Sequence, residues 1–319
     1  MKRIFFGLLL LLILCSHDMY LKFDQYSLRP WSKAVIQLFN GTFDRSDNVI
    51  TRDRMLDVSL VNNGSRIAVD TSLWYEEDNT TFLEFNTEAP GTWVAGVSTK
   101  PRTFGQSAKD FNDYLKHDGV LDMLESRTEK GTLQDSAIER YSKHVKTIFQ
   151  VGKQRTDDFK AELGYPIEFV VLENPYDLHP GHDLPVKLLF KQKPLANQLV
   201  YAGNQATSHE HTHDTHTHDH EHDNLIQLRT DQQGIVKVPI AKAGIWYLRT
   251  IHLVEVEENG LTHESNWATI TFAIDGDNTH AHNHDGEEHS HEETIPGYLY
   301  GLLSLFIIVG LYFWFNRKK

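Results

Sequence analysis

The 319 residues hold 31 Lys and Arg against 44 Asp and Glu, a formal charge of −13, with 40 % hydrophobic residues, 19 histidines and one cysteine. This is a globular composition and excludes a disordered or collagen-like chain. The acidic surplus is the reverse of what replaces phosphate counterions, so a nucleic-acid partner is excluded and cations are favoured.

In chain order, residues 1–16 read as a secretory signal: a basic start followed by an apolar run from Ile4 to Cys15. Cleavage after Ser16 leaves His17 at the new terminus; lipidation of Cys15 is the alternative. Either way the exported portion has no disulfide framework and no cysteine nucleophile. Near the other end, residues 295–315 form an apolar stretch bordered by Tyr298, Tyr300, Tyr312 and Trp314 and followed by Arg317-Lys318-Lys319. These features predict one transmembrane helix with a cytoplasmic tail at 316–319. Without the five basic residues at the two ends, 26 basic residues remain against 44 acidic ones, a net −18 outside the membrane. The triplets at Asn40, Asn63 and Asn79 match glycosylation acceptors at about chance frequency, and matter only in a eukaryotic secretory route.

The exported part is expected to be mainly β, as two immunoglobulin-like or transthyretin-like sandwich units with a short helical insert. Alternating segments at Ala34–Phe43, Met55–Gly64, Thr80–Phe85 and Gly91–Thr99 predict a first sandwich over 17–100. A helical insert is expected over 101–160. Its stripes are Phe111, Tyr114 and Leu115, then Val120, Leu121 and Leu124, then Ile138, Tyr141, Val145 and Ile148. Seven further strand patterns between Pro166 and Ile274 predict a second sandwich over 161–275, joined by a linker at 276–294 to the span. Asn259-Gly260 is a two-residue hairpin signal. Pairing Glu258 with Leu261 sets His252 opposite Trp267 and His263 opposite Val256. It puts Ile245, Tyr247, Ile251, Leu253, Ala268, Ile270, Phe272 and Ile274 on one core face. His252 and His263 then share the other face, about 13 Å apart along the ladder and too far to grip one ion.

Twelve histidines fall in two runs. His209, His211, His213, His216, His218, His220 and His222 lie between two predicted strands, and His280, His282, His284, His289 and His291 lie in the linker. Imidazole ligates Zn, Ni, Co and Cu(II) without thiols, and the interleaved Asp and Glu lower the cost of bringing a dication near. Such loops predict several interchangeable sites of moderate affinity, weakening as pH falls through about 6.5. The competing reading is a polar or pH-responsive spacer. His17, with a free amine beside its imidazole, is a further candidate ligand. His179 and His182 read as turn chemistry, His252 and His263 as satisfied sheet residues, and His117 and His144 as helix-surface residues. No Gly-x-Ser-x-Gly, phosphate loop, His-Glu-x-x-His or dinucleotide fingerprint is present, and an enzyme is not expected.

Several motifs resemble one family. They are His17-Asp-Met-Tyr-Leu21, Glu139-Arg-Tyr141 through Lys146 and Gly152, Gly164-Tyr-Pro-Ile-Glu-Phe, Asn174-Pro175, Gly181-His-Asp183-Leu-Pro-Val, Lys193-Pro194-Leu, Thr230-Asp231-Gln-Gln-Gly234, Ala243-Gly244-Ile-Trp246 and Ser265-Asn-Trp-Ala-Thr-Ile-Thr-Phe272. Together they are similar to the domain of unknown function 4198 family over most of residues 17–275. The resemblance implies a bacterial envelope protein accessory to nickel and cobalt uptake beside a transmembrane transport component. It raises His17 as a ligand and carries over no catalytic residues. The expected function is therefore capture of a divalent transition metal (Ni, Co, Zn or Cu), with a membrane metal transporter as partner. A metal-buffering or resistance protein, or an envelope interaction module with histidine spacers, is the alternative.

Overall fold

The structure is a computed structural model and describes residues 18–205, 225–258 and 260–276. All of these lie in one compact unit ending at Asp277. The chain forms β1 (Asp18–Lys22), β2 (Ser27–Leu28), β3 (Lys33–Gly41), β4 (Met55–Asn62), β5 (Ser65–Ala68), β6 (Trp74–Glu77), β7 (Thr80–Asn86), β8 (Gly91–Thr99) and β9 (Arg102–Gln106). Helices α1 (Ala108–His117) and α2 (Leu121–Lys130) and the long strand β10 (Ala137–Val151) follow. The remainder is β11 (Ile167–Val171), β12 (Asp183–Phe190), β13 (Lys193–Pro194), β14 (Leu199–Gln205), β15 (Ile226–Arg229), β16 (Ile235–Pro239), β17 (Gly244–Glu258) and β18 (Leu261–Ile274). The fold is mainly β.

Ten strands form one central sheet, in the order β15-β14-β17-β18-β10-β8-β4-β5, with β2 and β9 also paired to β10. Strand β10 joins the two halves, parallel to β18 on one side and antiparallel to β8 and β9 on the other. Because side chains alternate along a strand, its odd and even residues face opposite layers. On the odd side Lys143 donates to Asn40 of β3, and Thr269 and Thr271 of β18 donate to the carbonyls of Met19 and Leu21 in β1. That side carries the sheet β1-β3-β7-β6. On the even side Lys146 reaches Glu168 of β11, so the sheet containing β11, β12, β13 and β16 covers the other face. Large apolar residues of all three sheets, among them Ile36, Val94, Ile148, Phe169, Leu188 and Phe272, make one core. Each such side chain contributes about 1.5–3 kcal/mol by leaving water.

Helix α1 begins where Ser107 Oγ accepts the Asp110 amide at 3.2 Å. Its buried Phe111, Tyr114 and Leu115 follow the expected spacing and pack with Ile251, Leu253 and Trp267 on the odd side of the central sheet. Helix α2 ends at Gly131, whose φ of 70° suits the left-handed cap.

The third expected helix is absent; Ile138, Tyr141, Val145 and Ile148 belong to strand β10. That segment is covered on both faces, so it shows no simple alternation of polarity, and its apolar residues fell at helical spacing by coincidence. His144, expected on a helix surface, is instead 2 % exposed. Ser98 and Ser142 bond its two ring nitrogens at 2.9 and 3.0 Å. Burial pushes its imidazole down to about 4.

The hairpin register also differs. Glu258 pairs with Leu261 as expected, but a bulge between Glu255 and Glu258 shifts every earlier pair by one residue. His252 therefore faces Asn266, and Trp267 pairs with Ile251. His263 pairs with Glu255, which places it on the opposite face from His252. The single expected core face is split accordingly. Ile251 and Leu253 pack under the helices, while Ala268, Ile270, Phe272 and Ile274 join the main core.

Candidate functional site

The histidine ligands expected from sequence lie outside the described residues: His17, His209, His211, His213, His216, His218, His220, His222, His280, His282, His284, His289 and His291. So do the expected signal at 1–16 and span at 295–315. What the structure does describe is where the two runs attach. Residue 205 ends β14, and Leu225 precedes β15, which pairs antiparallel with β14 from Leu199↔Arg229 to Ala202↔Ile226. Gln205 pairs with Ile245, and Ile245 pairs on its other side with Ala273, three residues before Gly276. At about 4.8 Å per strand, Gln205 and Ala273 are about 10 Å apart, so both runs leave from the same end of the central sheet.

Among the described residues, no group of three or more His, Cys, Asp or Glu is arranged to hold a metal ion, and no helix is long and apolar enough to cross a membrane. His179 and His182 are exposed in a turn, with the His182 amide donating to the His179 carbonyl at 3.3 Å. His252 Nδ1 lies 2.8 Å from Gln198 Oε1. His263 Nδ1 lies 2.7 Å from Thr262 Oγ1, its ring packs 4.7 Å from Phe111, and burial pushes it down to about 4.

The described chain starts inside a charged cluster. Asp18 Oδ2 lies 3.4 Å from Arg249 Nε and accepts from Tyr20 Oη at 3.1 Å. Arg249 Nη1 also donates to the Asp118 carbonyl at 3.0 Å. His117 Nδ1 is 3.3 Å from Asp118 Oδ1, and this contact raises the imidazole above its ordinary value. Asp118 Oδ2 is buried with no hydrogen-bond partner among the described residues. Burial raises that carboxyl, with His117 opposing. The cluster therefore joins Asp18, the residue after position 17, to Arg249, His117 and Asp118.

A cleft of about 630 Å³ opens beside it on the odd face of the central sheet, between the β3–β4 side and α1. Its floor is Glu139, Tyr141 and Lys143, which share one face of β10. Register sets Phe104 and Arg102 of β9 opposite Glu139 and Tyr141, and Trp267 of β18 opposite Lys143. Asn40, residues 48–51, Arg54 and Tyr114 complete the walls. Glu139 is fully buried and accepts from Ser265 Oγ, from Tyr114 Oη at 3.4 Å and from Gln106 Nε2 at 3.4 Å. Burial without a cation at hand pushes its carboxyl up to about 7. Lys143 donates to Asn40 Oδ1 at 3.0 Å and lies 5.0 Å from the Trp267 ring centroid. Burial lowers its amine to about 8, with Asp18 and Asp118 pulling the other way.

Sequence reasoning missed Glu139, Lys143, Asp118 and Trp267 as site residues. Glu139 and Lys143 stand four apart, a spacing that shares a face in a helix and in a strand alike, so it could not mark the site.

A family model described as Domain of unknown function (DUF4198) matches residues 14–254. No curated protein matches the chain. Similar solved structures include Salmonella alpha-2-macroglobulin reacted with methylamine, at 10 % identity and TM-score 0.20, covering 81 % of this chain and 15 % of that one. The D0-D1 domain of intimin matches at 11 % identity and TM-score 0.19, covering 80 % and 97 %. The Yersinia pseudotuberculosis adhesin InvE matches at 13 % identity and TM-score 0.19, covering 81 % and 58 %. TM-scores of this size assign no fold. The chain spans 15 % of the length of the alpha-2-macroglobulin it matches.

Proposed function

This chain belongs to the domain of unknown function 4198 family, and from that premise we propose that it is an exported, membrane-anchored protein that binds divalent transition-metal ions and serves their uptake. The observation that carries this reading is the seven-histidine run inserted between β14 and β15, two strands whose pairing is complete without it. A segment dense in imidazole and carboxylate is suited to reversible ligation. Exchange between neighbouring imidazoles would pass an ion along the run. The acidic surplus would raise the local cation concentration. The second run supplies five further imidazoles.

His17 is the proposed ligand of a separate, fixed site. Its neighbour Asp18 enters the cluster of His117, Asp118 and Arg249. The three layers are read as two immunoglobulin-like or transthyretin-like sandwiches sharing the central sheet. The protein has no catalytic role in this reading. Nickel and cobalt are the favoured cargo on family grounds, with zinc and copper as the other metals suited to imidazole.

The test is calorimetric titration of the protein with Ni, Co, Zn and Cu, beside a variant lacking residues 209–222 and 280–291. The reading expects several equivalents on the intact protein and their loss on deletion. A tight equivalent that survives deletion assigns the fixed site. Less than one equivalent on the intact protein refutes the proposal. Growth of the host under metal starvation and under excess then separates uptake from resistance.

A further inference from the structure

The cleft over β10 is charged where a core would be apolar, and its charge is mainly of one sign. Arg54 and Lys143, each 8 % exposed, line it together with the exposed Arg102, against the carboxyl of Glu139 in the lining, while Asp18 and Asp118 act on Lys143 from outside the lining. In a chain of net charge −13 this is a local inversion, and it is buried among aromatic rings. Lys143 Nζ lies 5.0 Å from the Trp267 centroid, and the Arg54 guanidinium carbon 5.9 Å from that of Tyr141. Phe104 and Tyr114 line the same space. Rings that carry cations hold them in place with a weaker hydration shell, which prepares them for an anion.

The volume of about 630 Å³ is that of a small-molecule site. We propose that the cleft binds a small aromatic carboxylate. The carboxylate meets Lys143 and Arg54, and the ring lies against Trp267, Tyr141 and Phe104. Glu139 and Tyr114, toward the α1 end, meet a hydroxyl on the far side of the ring. Four aromatic walls favour a ring over an aliphatic chain. The site is independent of the histidine runs and does not rest on the metal reading.

The test is calorimetric titration of the full-chain protein at pH 7 with 4-hydroxybenzoate, benzoate, 4-hydroxybenzamide and inorganic phosphate. The acid is expected to bind, with the uncharged amide about tenfold weaker or worse. Lys143→Met is expected to weaken the acid by about tenfold. Arg102→Glu, at an exposed position, is expected to weaken it by about threefold with an unchanged unfolding midpoint. If Lys143→Met does not fold, Arg102→Glu decides. No heat from either acid up to millimolar concentration overturns the proposal, as does equal binding of acid and amide. Phosphate binding as well as the acid does, overturns it too, because the rings would then contribute nothing.

Discussion

Replacing Glu139 by glutamine removes a buried ionisable group while keeping its shape and its acceptor oxygen. In the folded chain Glu139 is fully buried, and its partners Ser265, Tyr114 and Gln106 are all neutral. Burial moves its carboxyl from 4.5 to about 7, so the folded state keeps a proton that the unfolded chain has released. The sign follows from proton linkage: where the folded state binds more protons, stability falls as pH rises. Here the window runs from 4.5 to about 7. Across it the loss is about 3 kcal/mol, at 1.36 kcal/mol per unit. His144 and His263 act in the opposite direction. Each is pushed from 6.5 down to about 4, so both cost stability as pH falls below 6.5. The wild-type profile mixes these contributions, whereas the difference between wild type and Glu139→Gln isolates the carboxyl. Urea unfolding of both proteins at pH 5 and pH 8 is the assay. Relative to wild type, the variant is expected to gain roughly 2–3 kcal/mol on going from pH 5 to pH 8. Parallel profiles would refute the assignment of a neutral carboxyl at the cleft floor.

The other predictions concern the frame and the metal. Lys146 and Glu168 form an ion pair at 3.0 Å with side chains 2 % and 1 % exposed. Lys146→Met should cost about 3–5 kcal/mol in denaturant unfolding, and adding Glu168→Gln should recover part of it, since the amide oxygen still accepts a backbone N–H. Gly119 has φ of +74°, and a Cβ there would lie 2.3 Å from Tyr201 Oη. Gly119→Ala is therefore expected to cost about 1–3 kcal/mol and lower the melting temperature; an unchanged midpoint would contradict the close approach. Deleting 209–222 is expected to change stability by less than about 1 kcal/mol, because shortening a loop alters closure entropy only slowly. The same deletion should roughly halve metal stoichiometry on the proposed reading. A large loss of stability would show that the run packs on the fold.

Much of the β framework was legible along the chain. The segments around Ala34–Phe43 and Leu184–Lys191 alternate with one face toward a core and form β3 and β12, and the run Gly91–Thr99 forms β8, which is buried at every residue. Phe111, Tyr114 and Leu115 were read correctly because one face of α1 is solvated. Strand β10 was not legible, because its residues Lys143, His144, Lys146 and Gln150 are buried by partners distant in sequence. A buried polar side chain reads as a surface residue until its partner is known.

The sequence by itself determined the β class, the family, the turn that pairs Glu258 with Leu261, the acidic surplus and the two histidine runs. These are local or compositional properties, carried by residue type and short spacing. Tertiary structure decided which face each residue of β17 and β18 occupies, since one bulge moves a whole strand by one residue. It also decided the cleft, whose walls come from Asn40, Arg54, Phe104, Tyr114, Lys143 and Trp267. A carboxyl near 7 and an amine near 8 follow from burial by such distant segments, and burial has no signature in the spacing of neighbours.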